Sequence, residues 1–191
     1  MDMISPDITT PMVACLGLAC FVAFSWAVKG HFRTTGAMPM GMKLIAALSL
    51  LGLLTFLWQL RDGLAAWPVV AGLFALALGL FSWTVHTTRF YPPTLAFDTD
   101  LPHILFCQGP YQYVRHPFYL SYMLFWTGTA IGAATASAWA VPLVMGTLYY
   151  KAALREEQKF ARSDLAPDYD VYRRQAGMFL PRLQNKETER K

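Results

Sequence analysis

Uncharged apolar runs alternate along the chain with short polar breaks, and the runs have the lengths of membrane spans. Met12–Val28 ends at Lys29, Leu44–Leu60 lies between Lys43 and Arg61, and Gly63–Val85 is broken only by Pro68. Each reaches the ~17 residues with which a helix crosses a hydrocarbon core. Pro68 falls where the first turn of a helix has no use for an amide donor, so it begins a helix instead of breaking one. Trp58, Trp67 and Trp83 stand near the ends of these runs, where amphipathic rings favour the interface.

The next apolar block, Phe118–Tyr150, is 33 residues without a charge. As one helix it would extend about 50 Å, more than a bilayer needs. Its small residues from Gly132 to Ser137 instead mark a turn and let two arms approach closely. The pattern predicts an all-α integral membrane protein, a single domain over 1–191, with about five transmembrane helices. They cover 12–28, 44–60, 65–85, 118–134 and 137–152, and the last two form a helical hairpin. The fifth helix is expected to run past Tyr150 into water, carrying Lys151, Arg155, Glu156, Glu157 and Lys159. Tyr169 and Tyr172, three apart, share one face of a short helical cap, and Phe179–Pro181 folds back onto the membrane. Residues 86–115 have no helical period, and their aromatics indicate a long loop packed on the membrane surface or over a ligand. Gln184–Lys191 reads as a polar tail.

Composition agrees, with 55% hydrophobic and 15% charged residues. The net charge of +4 does not imply nucleic acid, because the basic residues bracket the apolar runs. With five spans, fifteen of the sixteen Lys and Arg fall on one side and only Arg61 on the other. The positive-inside rule then places the N-terminus outside and the long loop and C-terminus in the cytoplasm, which in a bacterial cell would be at the inner or plasma membrane. No basic residue precedes Lys29, so the first run lacks the n-region of a signal peptide and is expected to remain as a span. Cys15, Cys20 and Cys107 form no CxxC pair and read as buried apolar thiols, with no metal site.

Chemistry concentrates in Gly109–Leu120, GPYQYVRHPFYL. Pro110 and Pro117 fix φ and push Gly109 and His116 toward extended geometry, leaving a stiff loop whose backbone groups can face a ligand. If the fifth helix returns to the same face, Arg155, Glu156 and Glu157 emerge beside it.

This loop, then an apolar hairpin, then LREEQKF, then PDYDVYRRQAGMFLP resembles the isoprenylcysteine carboxyl methyltransferase family and its relatives, the phospholipid N-methyltransferases. The resemblance covers about 105–183. It implies an enzyme that binds S-adenosyl-L-methionine at the cytosolic face, between the proline-rich loop and the C-terminal helix. The backbone around Gln112, Tyr113 and Val114, with His116, Pro117 and Tyr119, would line the cofactor site. Glu156 or Glu157 would hold the methionine ammonium or a ribose hydroxyl, Tyr169 and Tyr172 would close the lid, and Arg115 and Arg155 would orient a carboxylate. The acceptor implied is lipophilic: a membrane lipid, a lipid-like small molecule or a lipidated protein, methylated on a carboxylate, amine, phenol or thiol. The stretch HTTRFYPPTLAFDTDLPH is longer and more aromatic than in the prenylcysteine enzymes, and Leu120 and Ser121 stand where many relatives have glycine. Fold and cofactor therefore carry over further than the acceptor. A membrane reductase of the sterol-reductase type, using NADPH, shares an RHP-type loop and an acidic C-terminal motif, and a non-enzymatic scaffold is the remaining alternative. The reductase would favour a richer basic cluster than Arg89, Arg115 and Arg155 provide. The scaffold would have no cofactor pocket.

Overall fold

The computed structural model describes residues 8–33, 37–93 and 101–182. Asp2, Asp7, Phe97, Asp98, Asp100 and the expected tail lie outside them. Six α-helices and no strands occur among the described residues: α1 (Thr9–Gly30), α2 (Met40–Gln59), α3 (Trp67–Thr88), α4 (Pro117–Ala133), α5 (Ala140–Phe160) and α6 (Ala166–Gln175). Three segments are long and apolar enough to cross a membrane, namely α1, α3 and Met40–Asp62. The first five helices fall where the apolar runs place them. Pro68 lies in the first turn of α3 and Pro117 begins α4, each supplying a preset φ where no intrahelical donor is required. The α4–α5 turn passes through Ala134, left-handed at φ 52°, and a 3-10 turn over Ala136–Trp139, inside the small-residue run. α5 continues past Tyr150 as far as Phe160. The helix ends shift by a few residues from the apolar runs, as at Thr9 and Met40, and α3 extends to Thr88, into the stretch read as loop, where Thr84, Thr87 and Thr88 bond their hydroxyls to carbonyls one turn back.

Consecutive helices alternate in direction, which gathers two sets of contacts at opposite ends of the bundle. At one end the Ala65 amide bonds the Gly132 carbonyl and the Gln59 amide reaches Thr135. At the other, His31 lies 2.8 Å from the Thr88 hydroxyl and the Arg33 amide donates to the Pro93 carbonyl. The loop 101–116 and the charged part of α5 belong to this second end.

Between the ends the core is aromatic. Phe74 and Phe125, both fully buried, lie 5.1 Å apart, and Phe24 meets Phe81 and Tyr122 at 4.8 Å. In lipid, helices gain little from burying apolar surface against each other, so such interlocking contacts supply the association. The outward faces carry Leu18, Val22, Leu51, Leu54, Val69, Leu76 and Leu143, all exposed. Trp58, Trp67 and Trp83 also face outward at helix ends. Cysteine burial is not uniform. Cys20 is buried with its thiol 3.4 Å from the Phe74 carbonyl, whereas Cys15 and Cys107 are exposed. An all-round apolar helix does not reveal which face turns inward, so Cys15 could not be placed from pattern.

Candidate functional site

The loop before α4 takes its shape from two glycines. Gly109 has φ +58°, and a Cβ there would collide with the Thr87 hydroxyl on α3. Gly109–Gln112 then forms a 3-10 turn. Beyond α6 the chain returns and pairs with the loop in parallel: the Gly177 amide donates to the Tyr113 carbonyl, the Arg115 amide to Gly177 (2.7 Å) and the His116 amide to Met178 (3.2 Å). A Cβ on Gly177 would run into the Leu180 carbonyl. The stretch after α6 is thus tied by backbone bonds to the residues that begin α4.

These ties set Arg115 and His116 against the end of α5. Arg115 donates from Nε and Nη2 to a single oxygen of Glu157, at 2.9 and 2.8 Å, and from Nη1 to the Ala176 carbonyl at 2.6 Å. His116 Nε2 lies 3.2 Å from the same glutamate oxygen, and its Nδ1 lies 3.5 Å from Glu156 Oε2. The Tyr119 hydroxyl donates to Glu156 Oε1. Burial opposes charge on His116, but its contacts with the two glutamates outweigh burial and raise its pKa. Burial would raise Glu157, yet His116 and Arg115 hold it below the usual carboxylate range. Arg115 and a histidine whose pKa is raised thus face two glutamates here.

Arg115, His116 and Glu156 border a cavity of about 560 Å³, within the range of ligand sites. Its lining reaches from Glu156, Tyr169 and Tyr172 at the polar end to Ser49, Trp126 and Tyr149 inside the bundle. Tyr169 is 4% exposed and stacks on Phe160, and its buried hydroxyl lies against the Arg115–Glu157 pair. Tyr172 closes the same side by donating to the Tyr111 carbonyl at 2.8 Å.

Residues 67–165, just over half the chain, match the phospholipid methyltransferase family. The chain belongs to that family. No curated protein and no solved structure matches it. Family membership makes it a membrane methyltransferase, which counts against the reductase and the scaffold. The matched segment runs from the start of α3 to the turn after α5, so the third apolar helix belongs with the loop and the hairpin. The first two helices lie outside the match.

Within the chain the expected site residues fall into three groups. His116, Pro117, Tyr119, Glu156, Tyr169 and Tyr172 line the cavity, and Arg115 borders it while held by Glu157. Glu157 is absent from the lining, because its carboxylate is taken up by Arg115 and His116. Val114 is buried in the bridge to Gly177, Gln112 and Tyr113 open onto a smaller pocket beside Cys107 and Arg182, and Arg155 is exposed and off the lining. Tyr122, Tyr149 and Lys159 also line the cavity. Spacing carried that signal: Tyr122 lies three residues from Tyr119, and Tyr149 and Lys159 lie seven before and three after Glu156, on one helical face.

Proposed function

We propose that this phospholipid methyltransferase uses S-adenosyl-L-methionine to methylate a lipophilic acceptor at the cytosolic membrane face, in the cavity between the 109–120 loop, α5 and α6. In this reading α4 and α5 cross the membrane with α1 to α3, giving five spans, an external N-terminus and a cytoplasmic C-terminus. The gathering of Lys and Arg at the site end, with Arg61 at the other, supports this.

One observation carries the cofactor assignment: a carboxylate, Glu156, held by the Tyr119 hydroxyl, borders the cavity that Tyr169 and Tyr172 also line. The cofactor supplies a sulfonium methyl that is already activated. Glu156, steadied by Tyr119 and 3.5 Å from His116 Nδ1, would hold a cationic or hydroxyl group of the cofactor, and Tyr169 and Tyr172 would cover it. Glu157 contacts no ligand and positions Arg115 and His116. What the chain adds is orientation and exclusion of water, which suffices for in-line transfer to an acceptor that carries no proton. For a protonated amine, Glu156 Oε2, the oxygen not bonded to Tyr119, is placed to take the proton. The apolar depth of the cavity, reaching Trp126 and Tyr149, receives the acceptor's chain.

Thermal unfolding of the detergent-solubilised protein tests this. S-adenosylhomocysteine raises the melting temperature with a concentration dependence that gives a Kd, and NADPH leaves it unchanged. Stabilisation by NADPH alone would remove the proposal.

A further inference from the structure

The inner reach of the cavity is not uniformly apolar. Ser49 on α2, Trp126 on α4 and Tyr149 on α5 each stand near the middle of a helix and line the same space as Glu156. Trp126 Nε1 donates to the Tyr149 hydroxyl at 3.1 Å, and the Ser49 hydroxyl lies beside that hydroxyl. Tyr122 fills the interval toward Glu156, its ring 5.4 Å from Tyr149 and 6.4 Å from Tyr119. Polar groups therefore continue inward from the charged end, into a part of the bundle where Phe24, Met42 and Ile45 supply the rest of the wall.

Packing accounts for only part of this. A buried indole needs an acceptor for its N–H, and Tyr149 provides one. It has no need of Ser49. Thr55, on the same helix, spends its hydroxyl on the Leu51 carbonyl one turn back, whereas Ser49 is turned to Tyr149. Trp126, Tyr149 and Ser49 carry three hydrogens to donate and share two contacts, so one O–H is left for an oxygen that enters the cavity. In a membrane span such a donor is costly unless something uses it.

We infer that Ser49 and Tyr149, with Trp126 behind them, form a hydrogen-bonding ledge that selects acceptors carrying an uncharged oxygen, a hydroxyl or a carbonyl, inside their apolar part. Tyr149 precedes Glu156 by seven residues on α5, which sets that oxygen about 10 Å from the group that reacts. A plain hydrocarbon chain leaves the ledge unanswered, and the apolar wall around it excludes a charged group. The word acceptor rests on the proposed methyl transfer; the binding does not. Because Ser49 precedes residue 67, this selection draws on the part of the chain that the family match leaves out.

The full chain in detergent is mixed with octadecane-1,9-diol, whose second oxygen lies at that spacing, with octadecane-1,4-diol, where it lies too close, or with octadecan-1-ol, which lacks it. Retained ligand is measured by native mass spectrometry. The 1,9-diol is retained roughly five- to tenfold over the other two, the worth of one hydrogen bond. The double variant Ser49→Ala, Tyr149→Phe loses that preference and keeps the parent's retention of octadecan-1-ol, while S-adenosylhomocysteine still raises its melting temperature. Tyr149→Phe strands the Trp126 N–H, so Ser49→Ala alone, which keeps the indole bond, serves as the second variant and loses at least half of the preference. Equal retention of the 1,9-diol and octadecan-1-ol by the parent overturns the inference, as does equal retention of the two diols. So does a preference undiminished in Ser49→Ala. If the parent protein fails to bind S-adenosylhomocysteine yet prefers the 1,9-diol, the methyl-transfer reading falls and the ledge stands; if it binds S-adenosylhomocysteine and shows no preference, the ledge falls and that reading stands.

Discussion

Arg115 and Glu157, 42 residues apart in sequence, form a two-donor ion pair whose side chains are 7% and 11% exposed. The pair locks the residues that begin α4 to the water-facing end of α5, and through the Ala176 carbonyl it locks both to the stretch after α6. Removing one member of a buried pair leaves the other uncompensated, at a cost of about 3–5 kcal/mol. Glu157→Gln is expected to lower the melting temperature in detergent more than any change to Glu156 does. Equal melting temperatures for the two glutamine variants would contradict this division.

Glu156→Gln is expected to leave the fold nearly intact and to weaken S-adenosylhomocysteine binding by roughly ten- to a hundredfold, the worth of about 1.5–3 kcal/mol in a charged hydrogen bond. Tyr119→Phe, which frees the glutamate without removing its charge, gives a smaller loss. Calorimetric titration measures both, and unchanged affinity in Glu156→Gln would move the ligand contact elsewhere.

Tyr169→Phe separates ligand binding from stability. Its hydroxyl lies buried against an Arg115–Glu157 pair that is already held by its own contacts, so its removal leaves melting nearly unchanged. Cofactor affinity nevertheless falls. A drop in melting temperature in the ligand-free variant would show that the hydroxyl is already engaged.

The pH dependence follows from two shifts of opposite sense. His116 is raised above its ordinary 6.5, so its contribution is complete below about pH 6.5 and is lost as pH rises through the raised value. Glu157 is lowered from 4.5, so its contribution is complete above about pH 4.5 and is lost as pH falls through the depressed value. Melting temperature therefore peaks between these limits and declines on the alkaline side. His116→Gln flattens the alkaline decline, and a decline as steep as the parent's would assign it to another group.

The helices were legible because charge interrupts the apolar runs: Lys29, Arg61 and Lys151 each fall near a helix end or a change of environment. The approach of Glu156 and Glu157 to His116 was legible from the hairpin alone, since an even number of passes returns the chain to the same end. Which glutamate faces the cavity was not, because adjacent residues on a helix point about 100° apart and only packing fixes the rotation. Gln112 and Tyr113 were expected on the cofactor side, but the 3-10 turn at Gly109–Gln112 turns them toward Cys107 and Arg182. The share of α1 and α2 in the cavity was hidden for a different reason. A helix that is apolar all round has no stripe to show which side turns inward, so Met42, Ile45 and Ser49 read the same as the outward-facing Leu44, Leu51 and Leu54.

The central claim is that the cavity beside Glu156 moves a methyl group onto a lipophilic acceptor. Purified protein and its Glu156→Gln variant, each incubated with lipid extract and S-adenosylmethionine deuterated at the methyl, can be compared by mass spectrometry of the recovered lipids. The account predicts a lipid species heavier by one labelled methyl with the parent protein and a loss of that label in the variant; no labelled lipid with the parent, or undiminished label in the variant, would contradict it.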